Sequence, residues 1–183
     1  MKTKDMILIA MFAALTAVGA YIRIPVPVCP FTLQFLFTTL AGLILGGKKG
    51  ALAVAVYVLL GLIGLPVFTG GGGIGYVLQP TFGYLLGFIA GACATGTIVR
   101  RGSLTMPRLL TGCFAGLLIV YAMGMAYYWA ISRFWLGQPI GLVPLFVYCF
   151  LLAVPGDICL CILSALLGKK LIPVTGLSYH PVS

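Results

Sequence analysis

Apolar residues run through this chain in six long blocks, and the polar and charged residues collect in the short gaps between them. A bilayer core about 30 Å thick is crossed by roughly 20 predominantly apolar residues in helical form. The blocks therefore predict six membrane passes, over residues 6–22, 33–45, 51–64, 81–99, 109–131 and 144–167. Some of these are shorter than a full crossing, which predicts segments that stop short of the far surface or enter the bilayer re-entrantly. The fold class expected is an all-α integral membrane protein, a six-helix bundle forming a single transmembrane domain over 1–183 with a short cytoplasmic tail.

Composition sharpens this pattern. Charged residues are 7% of the chain and mean hydropathy is +1.19, so each charge has a position worth explaining. Lys2, Lys4, Lys48, Lys49, Arg100, Arg101, Arg108, Lys169 and Lys170 fall in gaps or ends on one side of the membrane, and Arg23 and Arg133 on the other. Short loops rich in Lys and Arg stay in the cytoplasm, so the split of nine against two predicts both termini there. The net charge of +9 is accounted for by topology and does not point to nucleic acid. The first block follows basic residues, as a signal peptide would. Arg23-Ile-Pro-Val-Pro-Val behind it offers no small-x-small cleavage site, and its removal would leave an odd number of passes, so it is read as a membrane helix.

The candidate chemistry is sparse. Five of the six cysteines, Cys93, Cys113, Cys149, Cys159 and Cys161, fall inside predicted helices, and Cys29 in an outer loop. With no Cys-x-x-Cys pair and with His180 in a polar tail, the converging ligands a zinc site needs are missing, and no metal or cofactor is expected. Enzymatic chemistry would need paired acids, a histidine cluster or an activated nucleophile. A channel would need a polar line through the bundle. No nucleotide-binding motif is present, so the chain does not power transport by its own ATP hydrolysis.

Small residues recur four apart at Gly42/Gly46, Gly83/Gly87/Gly91 and Gly112/Gly116, and as Ala10/Ala14 and Ala13/Ala17 in the first helix. Such rows allow close backbone approach between membrane helices. They serve packing within the bundle or, for the flat alanine face, docking of another membrane protein. Between the third and fourth passes, Gly70 to Gly75 holds five glycines in six residues, beside Phe68, Tyr76 and Tyr84. Its G-x-G-x-x-G spacing lacks the strand–turn–helix context of a dinucleotide fingerprint. The segment is either a flexible connector or a loop covering a ligand with exposed backbone N–H groups. An outer segment from Ile22 to Gln34 is stiffened by prolines. In the sixth pass, Pro155-Gly-Asp157 interrupts the apolar helix with a kink and a carboxylate. An intramembrane acid is a functional-site candidate by default, with pairing to a neighbouring helix as the structural alternative.

Taken together, Ile22-Arg-Ile-Pro-Val-Pro27, Phe31-Thr-Leu-Gln34, the run from Gly61 to Gly73, Pro80-Thr-Phe-Gly-Tyr-Leu-Leu-Gly-Phe88 and Pro155-Gly-Asp157 resemble BioY, the biotin-binding S components of energy-coupling factor (ECF) transporters. The resemblance extends from the first helix to about Gly168. It implies a biotin pocket under the glycine loop, facing outward from a bacterial cytoplasmic membrane. It also implies docking of the first helix, through Ala10, Ala13, Ala14 and Ala17, on a transmembrane coupling subunit driven by two ATPase subunits. Biotin would be the transported ligand rather than a cofactor. Two positions depart from the family pattern: Leu160 stands where a Lys commonly follows Pro-Gly-Asp, and Gln79-Pro80 where Gly-Pro or a similar pair is usual. The chemistry of biotin then suggests roles. Asp157 can accept from the ureido N–H groups, and Gln34 or Gln79 can donate to the ureido carbonyl. Phe68 and Tyr84 can cover the bicycle, and Gly72 and Gly73 can hold the carboxylate, with Arg23 or Arg133 at the outer edge. The alternative is a self-sufficient secondary carrier of a small vitamin-like solute that cycles a proton on Asp157.

Overall fold

The computed structural model describes residues 2–24, 31–137 and 140–175. Helix α1 spans Thr3–Tyr21 and ends in a two-residue strand, β1 (Arg23–Ile24), paired antiparallel with β2 (Phe31–Thr32). Helices α2 (Gln34–Leu45) and α3 (Gly47–Leu62) follow, then a 3-10 turn at Ile74–Leu78, α4 (Phe82–Arg100) and α5 (Met106–Phe134). The last stretch is α6 (Leu142–Phe146), a π-helical turn at Val147–Leu151 and α7 (Val154–Val174). The stiffening prolines Pro25, Pro27 and Pro30, together with Cys29 and His180, lie outside the described residues.

Among the described residues, four stretches are long and apolar enough to cross a membrane: Thr3–Tyr21, Phe82–Arg100, Met106–Phe134 and Val143–Val174. The protein is a multi-pass membrane protein. Helix α2 is shorter, about 18 Å at 1.5 Å per residue, and its position explains why. It contacts α1, α3, α4 and α7, and every residue in it except Phe37 is buried. A helix enclosed by others need not span lipid by itself.

Glycine decides how closely the helices meet. A Cβ on Gly42 would lie 2.5 Å from the Ala92 carbonyl oxygen, and one on Gly87 2.9 Å from the Cα of Val120. The first contact presses α2 against α4 and the second presses α4 against α5. Thr95 Oγ1, buried in the same seam, donates to Gly112 O at 2.9 Å. The glycine rows of α4 and α5 are thus spent on packing inside the bundle. The reversal between α2 and α3 takes one residue, Gly46, whose φ of +82° favours glycine. Helix α3 therefore starts four residues before the expected boundary and carries Lys48 and Lys49 in its first turn.

An ion pair and two hydrogen bonds tie one end of the bundle together. Lys49 Nζ lies 2.8 Å from the Asp5 carboxylate, Lys4 Nζ donates to Thr175 O, and Arg100 Nη2 donates to Ile44 O at 3.3 Å. The nine basic residues named above gather toward this end, and Arg23 and Arg133 lie at the other.

The last pass departs from expectation. The chain does not run as one helix kinked at Pro155. It passes from α6 through the π turn and a break at Leu152-Ala153, and α7 then starts afresh with Pro155 in its first turn. There the missing proline N–H costs no helical hydrogen bond. The interruption therefore lies ahead of the Pro-Gly-Asp motif and leaves Asp157 in the opening turn of α7.

Candidate binding site

Asp157 is 8% exposed and stands between α7 and α5. A buried carboxylate needs donors, and Tyr121 of α5 supplies one, its hydroxyl donating to Asp157 Oδ2 at 2.5 Å. Tyr121 is fixed by its own neighbours, edge-on to Phe150 at 5.2 Å and to Tyr84 at 6.1 Å between ring centroids. Phe150 belongs to the π turn. The irregular geometry ahead of α7 therefore directs an aromatic ring at the tyrosine that holds the acid, in keeping with the frequent placement of π-bulges at functional sites.

Across from this pair, the first turn of α2 presents Gln34, buried at 3% exposure. Its Nε2 donates to Tyr57 Oη at 2.7 Å, Tyr57 Oη donates to Val67 O at 3.0 Å, and Thr32 Oγ1 lies 3.3 Å from Gln34 Oε1. One chain of hydrogen bonds thus connects β2, α2, α3 and the loop ahead of α4. Gln34, Tyr84, Tyr121 and Asp157 share the walls of one cavity of about 70 Å³, whose rim carries the hydroxyls of Thr32, Thr69, Tyr76 and Thr81. Leu85, Phe88 and Val120 make its apolar side. A larger space of about 600 Å³ lies between α5 and α6, lined by residues such as Met125, Trp129 and Phe146. Among the described residues no charged or hydrogen-bonding acceptor side chain lines it, so they do not supply the convergent polar groups that orient a ligand.

The glycine-rich segment forms a cap over the smaller cavity. Its conformation is fixed by several anchors. Gly73 (φ +101°) donates its N–H to Gly61 O at 2.7 Å, and Gly71 and Phe68 exchange backbone hydrogen bonds. Tyr127 Oη donates to Val77 O at 2.5 Å, Arg23 Nη1 to Thr69 O at 2.7 Å, and the Tyr21 hydroxyl to Pro66 O. Phe68 is the plug, 2% exposed, with its ring 5.6 Å from that of Tyr57 and 4.5 Å from that of Tyr76. Gly61 must be glycine beneath it, because a Cβ there would meet the Phe68 ring at 2.1 Å.

Of the residues singled out from the sequence, the structure brings Gln34, Tyr84 and Asp157 together at the cavity. Phe68 lies one layer out, packed under the cap. Gly73 has its N–H committed to Gly61, which removes it as a carboxylate donor; Gly72 and Gln79 lie on the exposed side of the loop. Arg23 does not line the cavity and reaches its rim only through Thr69 O. Arg133 lies over the Trp129 ring at 5.6 Å, away from the site. Tyr121 was legible in principle, since a carboxyl buried among apolar helices needs a nearby hydroxyl. Thr69, Tyr76 and Thr81 carry no such signal, because the folding of the cap alone turns them inward.

The alanines of α1 divide between two faces. Ala10 and Ala14 are exposed beside Ile7, Met11 and Val18, whereas Ala13 is 3% exposed and Ala17 half-buried. Ala13 packs into the bundle, so it is withdrawn from the interface expected of it: at 100° per residue it stands beside Ile9, Thr16 and Ala20. The cysteines Cys113, Cys149 and Cys161 are buried, and Cys159, two residues from Cys161, is exposed.

Comparisons with known proteins converge on one family. The model of the BioY family matches residues 1–176. A protein of Lysinibacillus sphaericus described as a probable biotin transporter BioY is 47% identical over 174 residues, covering 94% of this chain and 89% of that one. The biotin transporter BioY of Rhizobium etli is 36% identical over 182 residues, covering 92% and 93%. The crystal structure of the S-component for biotin from an ECF-type ABC transporter superimposes with a TM-score of 0.79 at 26% identity, covering 93% of this chain and 94% of that one.

Proposed function

The chain belongs to the BioY family, and from that premise we propose that it is the biotin-binding S component of an ECF transporter in the bacterial cytoplasmic membrane. It forms a single transmembrane domain of six passes with both termini in the cytoplasm. It works with a transmembrane coupling subunit and two ATPase subunits, and it is not an enzyme. The observation that carries the biotin assignment is the cavity shared by Asp157, Tyr121 and Gln34 beneath an anchored cap.

Biotin offers two ureido N–H donors, a ureido carbonyl, an apolar thioether ring and a valerate carboxylate. Asp157 accepts from the ureido N–H groups, and Tyr121 holds its second oxygen in place. Gln34 turns its amide from Tyr57 toward the ureido carbonyl, and Tyr84 with Phe88 packs on the bicycle. The carboxylate points to the rim, where the hydroxyls of Thr69, Tyr76 and Thr81 are available and Arg23 lies one residue's reach away. Neutral donors at the rim thus take the place of the cation that Leu160 does not provide. A cavity of about 70 Å³ is well below the roughly 300 Å³ lower bound of ordinary ligand pockets. Entry therefore requires the cap to lift, releasing the Tyr21, Arg23 and Tyr127 hydrogen bonds to its backbone.

Calorimetric titration of the purified protein with biotin, riboflavin and thiamine tests the assignment. Heat with biotin alone is expected; binding of riboflavin or thiamine in its place would overturn it.

A further inference from the structure

A second cavity, of about 370 Å³, lies at the opposite end of the bundle from the biotin site, where α2 turns into α3 against the last turn of α4. Glycines make it. A Cβ on Gly46 would lie 2.2 Å from Arg100 Nε, and one on Gly47 2.3 Å from Thr97 Oγ1. Their absence brings four cationic residues, Lys48, Lys49, Arg100 and Arg101, around one space. The chain has two acidic residues, and one of them, Asp5, is at hand, paired with Lys49 at 2.8 Å. Arg100 Nη2 is directed at Ile44 O, while Lys48 and Arg101 are exposed and can turn onto a ligand.

Charge sidedness alone does not account for this arrangement. The positive-inside rule asks that basic residues lie on one side of the membrane; it does not ask that four of them converge on one cavity. Lys169 and Lys170 lie on the same side and stay outside it. Asp5 offsets one of these four charges, which leaves a net positive charge around the cavity that a further anion would neutralise. The cavity lies where the apolar span of α4 ends at Arg100. Leu52, one turn past Lys48 on the same face of α3, is 42% exposed and offers an apolar surface beside the charges.

We propose that this cavity binds the phosphate group of an anionic phospholipid from the adjoining leaflet, with Lys48 and Arg101 gripping the phosphodiester and Leu52 lying along an acyl chain. A zwitterionic headgroup brings its own cation into the same space and is disfavoured. Inorganic phosphate shares the anion but has no chain to lie on Leu52.

Native mass spectrometry of the full chain with added phosphatidylglycerol, phosphatidylcholine or inorganic phosphate tests this. Retention of one phosphatidylglycerol is expected at roughly tenfold preference over phosphatidylcholine. Lys48→Gln with Arg101→Gln should lower it by about tenfold or more, since each basic residue near a charged surface adds a comparable increment. Lys169→Gln with Lys170→Gln removes the same charge outside the cavity and should leave retention unchanged. Biotin titration of each variant reports that it is folded, and Lys48→Gln alone serves if the double variant is not. Equal retention of the two lipids, equal loss in the Lys169/Lys170 control, or capture of inorganic phosphate with no lipid preference would each overturn the proposal.

Discussion

Asp157 and Tyr121 come from α7 and α5 and meet through a hydrogen bond of 2.5 Å at the wall of the cavity. A hydrogen bond to a charged group contributes about 1.5–3 kcal/mol. Asp157→Ala is therefore expected to weaken biotin binding by about that amount in calorimetry while leaving the bundle assembled. Unchanged affinity would return the residue to a structural role. Tyr121→Phe tests the pair from its other side. The ring keeps its edge contacts with Phe150 and Tyr84, so packing is preserved and only the hydroxyl is lost. Affinity should again fall by about 1.5–3 kcal/mol, and the double variant should lose less than the sum, because the two groups act as one unit.

The cap and α1 each offer a matched pair of substitutions. A Cβ on Gly72 would sit 2.1 Å from Leu65 O, a backbone atom that cannot swing aside, whereas one on Gly75 meets nothing within 4 Å. Gly72→Ala should displace the cap and weaken biotin binding by at least about 1 kcal/mol; Gly75→Ala should bind as the parent does. A reversal of that order in titration would show that the cap does not govern access. On α1, Ala14 is exposed and Ala13 is buried one residue away. Ala14→Trp is expected to leave biotin binding by the isolated protein intact and to abolish co-purification with the coupling subunit. Ala13→Trp should instead overpack the core, at about 1–3 kcal/mol, and reduce thermal stability first. Loss of biotin binding in Ala14→Trp ahead of loss of the partner would defeat the docking assignment.

For the molecule as a whole, the two ends of the bundle differ in charge. The end with the cap holds Arg23, Arg133 and the polar cavity, and the end with the termini holds the remaining basic residues. Between them the described residues provide no second acid that could pass a proton from Asp157 through the bundle. The protein reconstituted alone in vesicles is therefore expected to bind labelled biotin without accumulating it, and addition of the ECF module with ATP to start accumulation. Uptake by the protein alone under an imposed proton gradient would make it a secondary carrier.

Sequence alone determined the membrane class, the sidedness of the charges, the special status of Asp157 and the family resemblance. Each of these depends on local composition or on a contiguous motif: a run of apolar residues is costly in water wherever it packs, and a carboxylate in such a run is costly in lipid. The identity of the site was only half legible for the same reason. Gln34 and Asp157 announce themselves as polar groups in apolar blocks. Phe68, Gly73 and Gln79 looked like site residues because they neighbour the glycine loop in sequence. Only the fold of that loop decided that Phe68 plugs it, that the Gly73 N–H is spent on Gly61, and that Thr69, Tyr76 and Thr81 turn inward instead. Likewise the alanine spacing of α1 could not tell Ala13 from Ala14. Burial separates them, and burial is set by neighbouring helices more than ten residues away in the chain, which a local pattern does not contain.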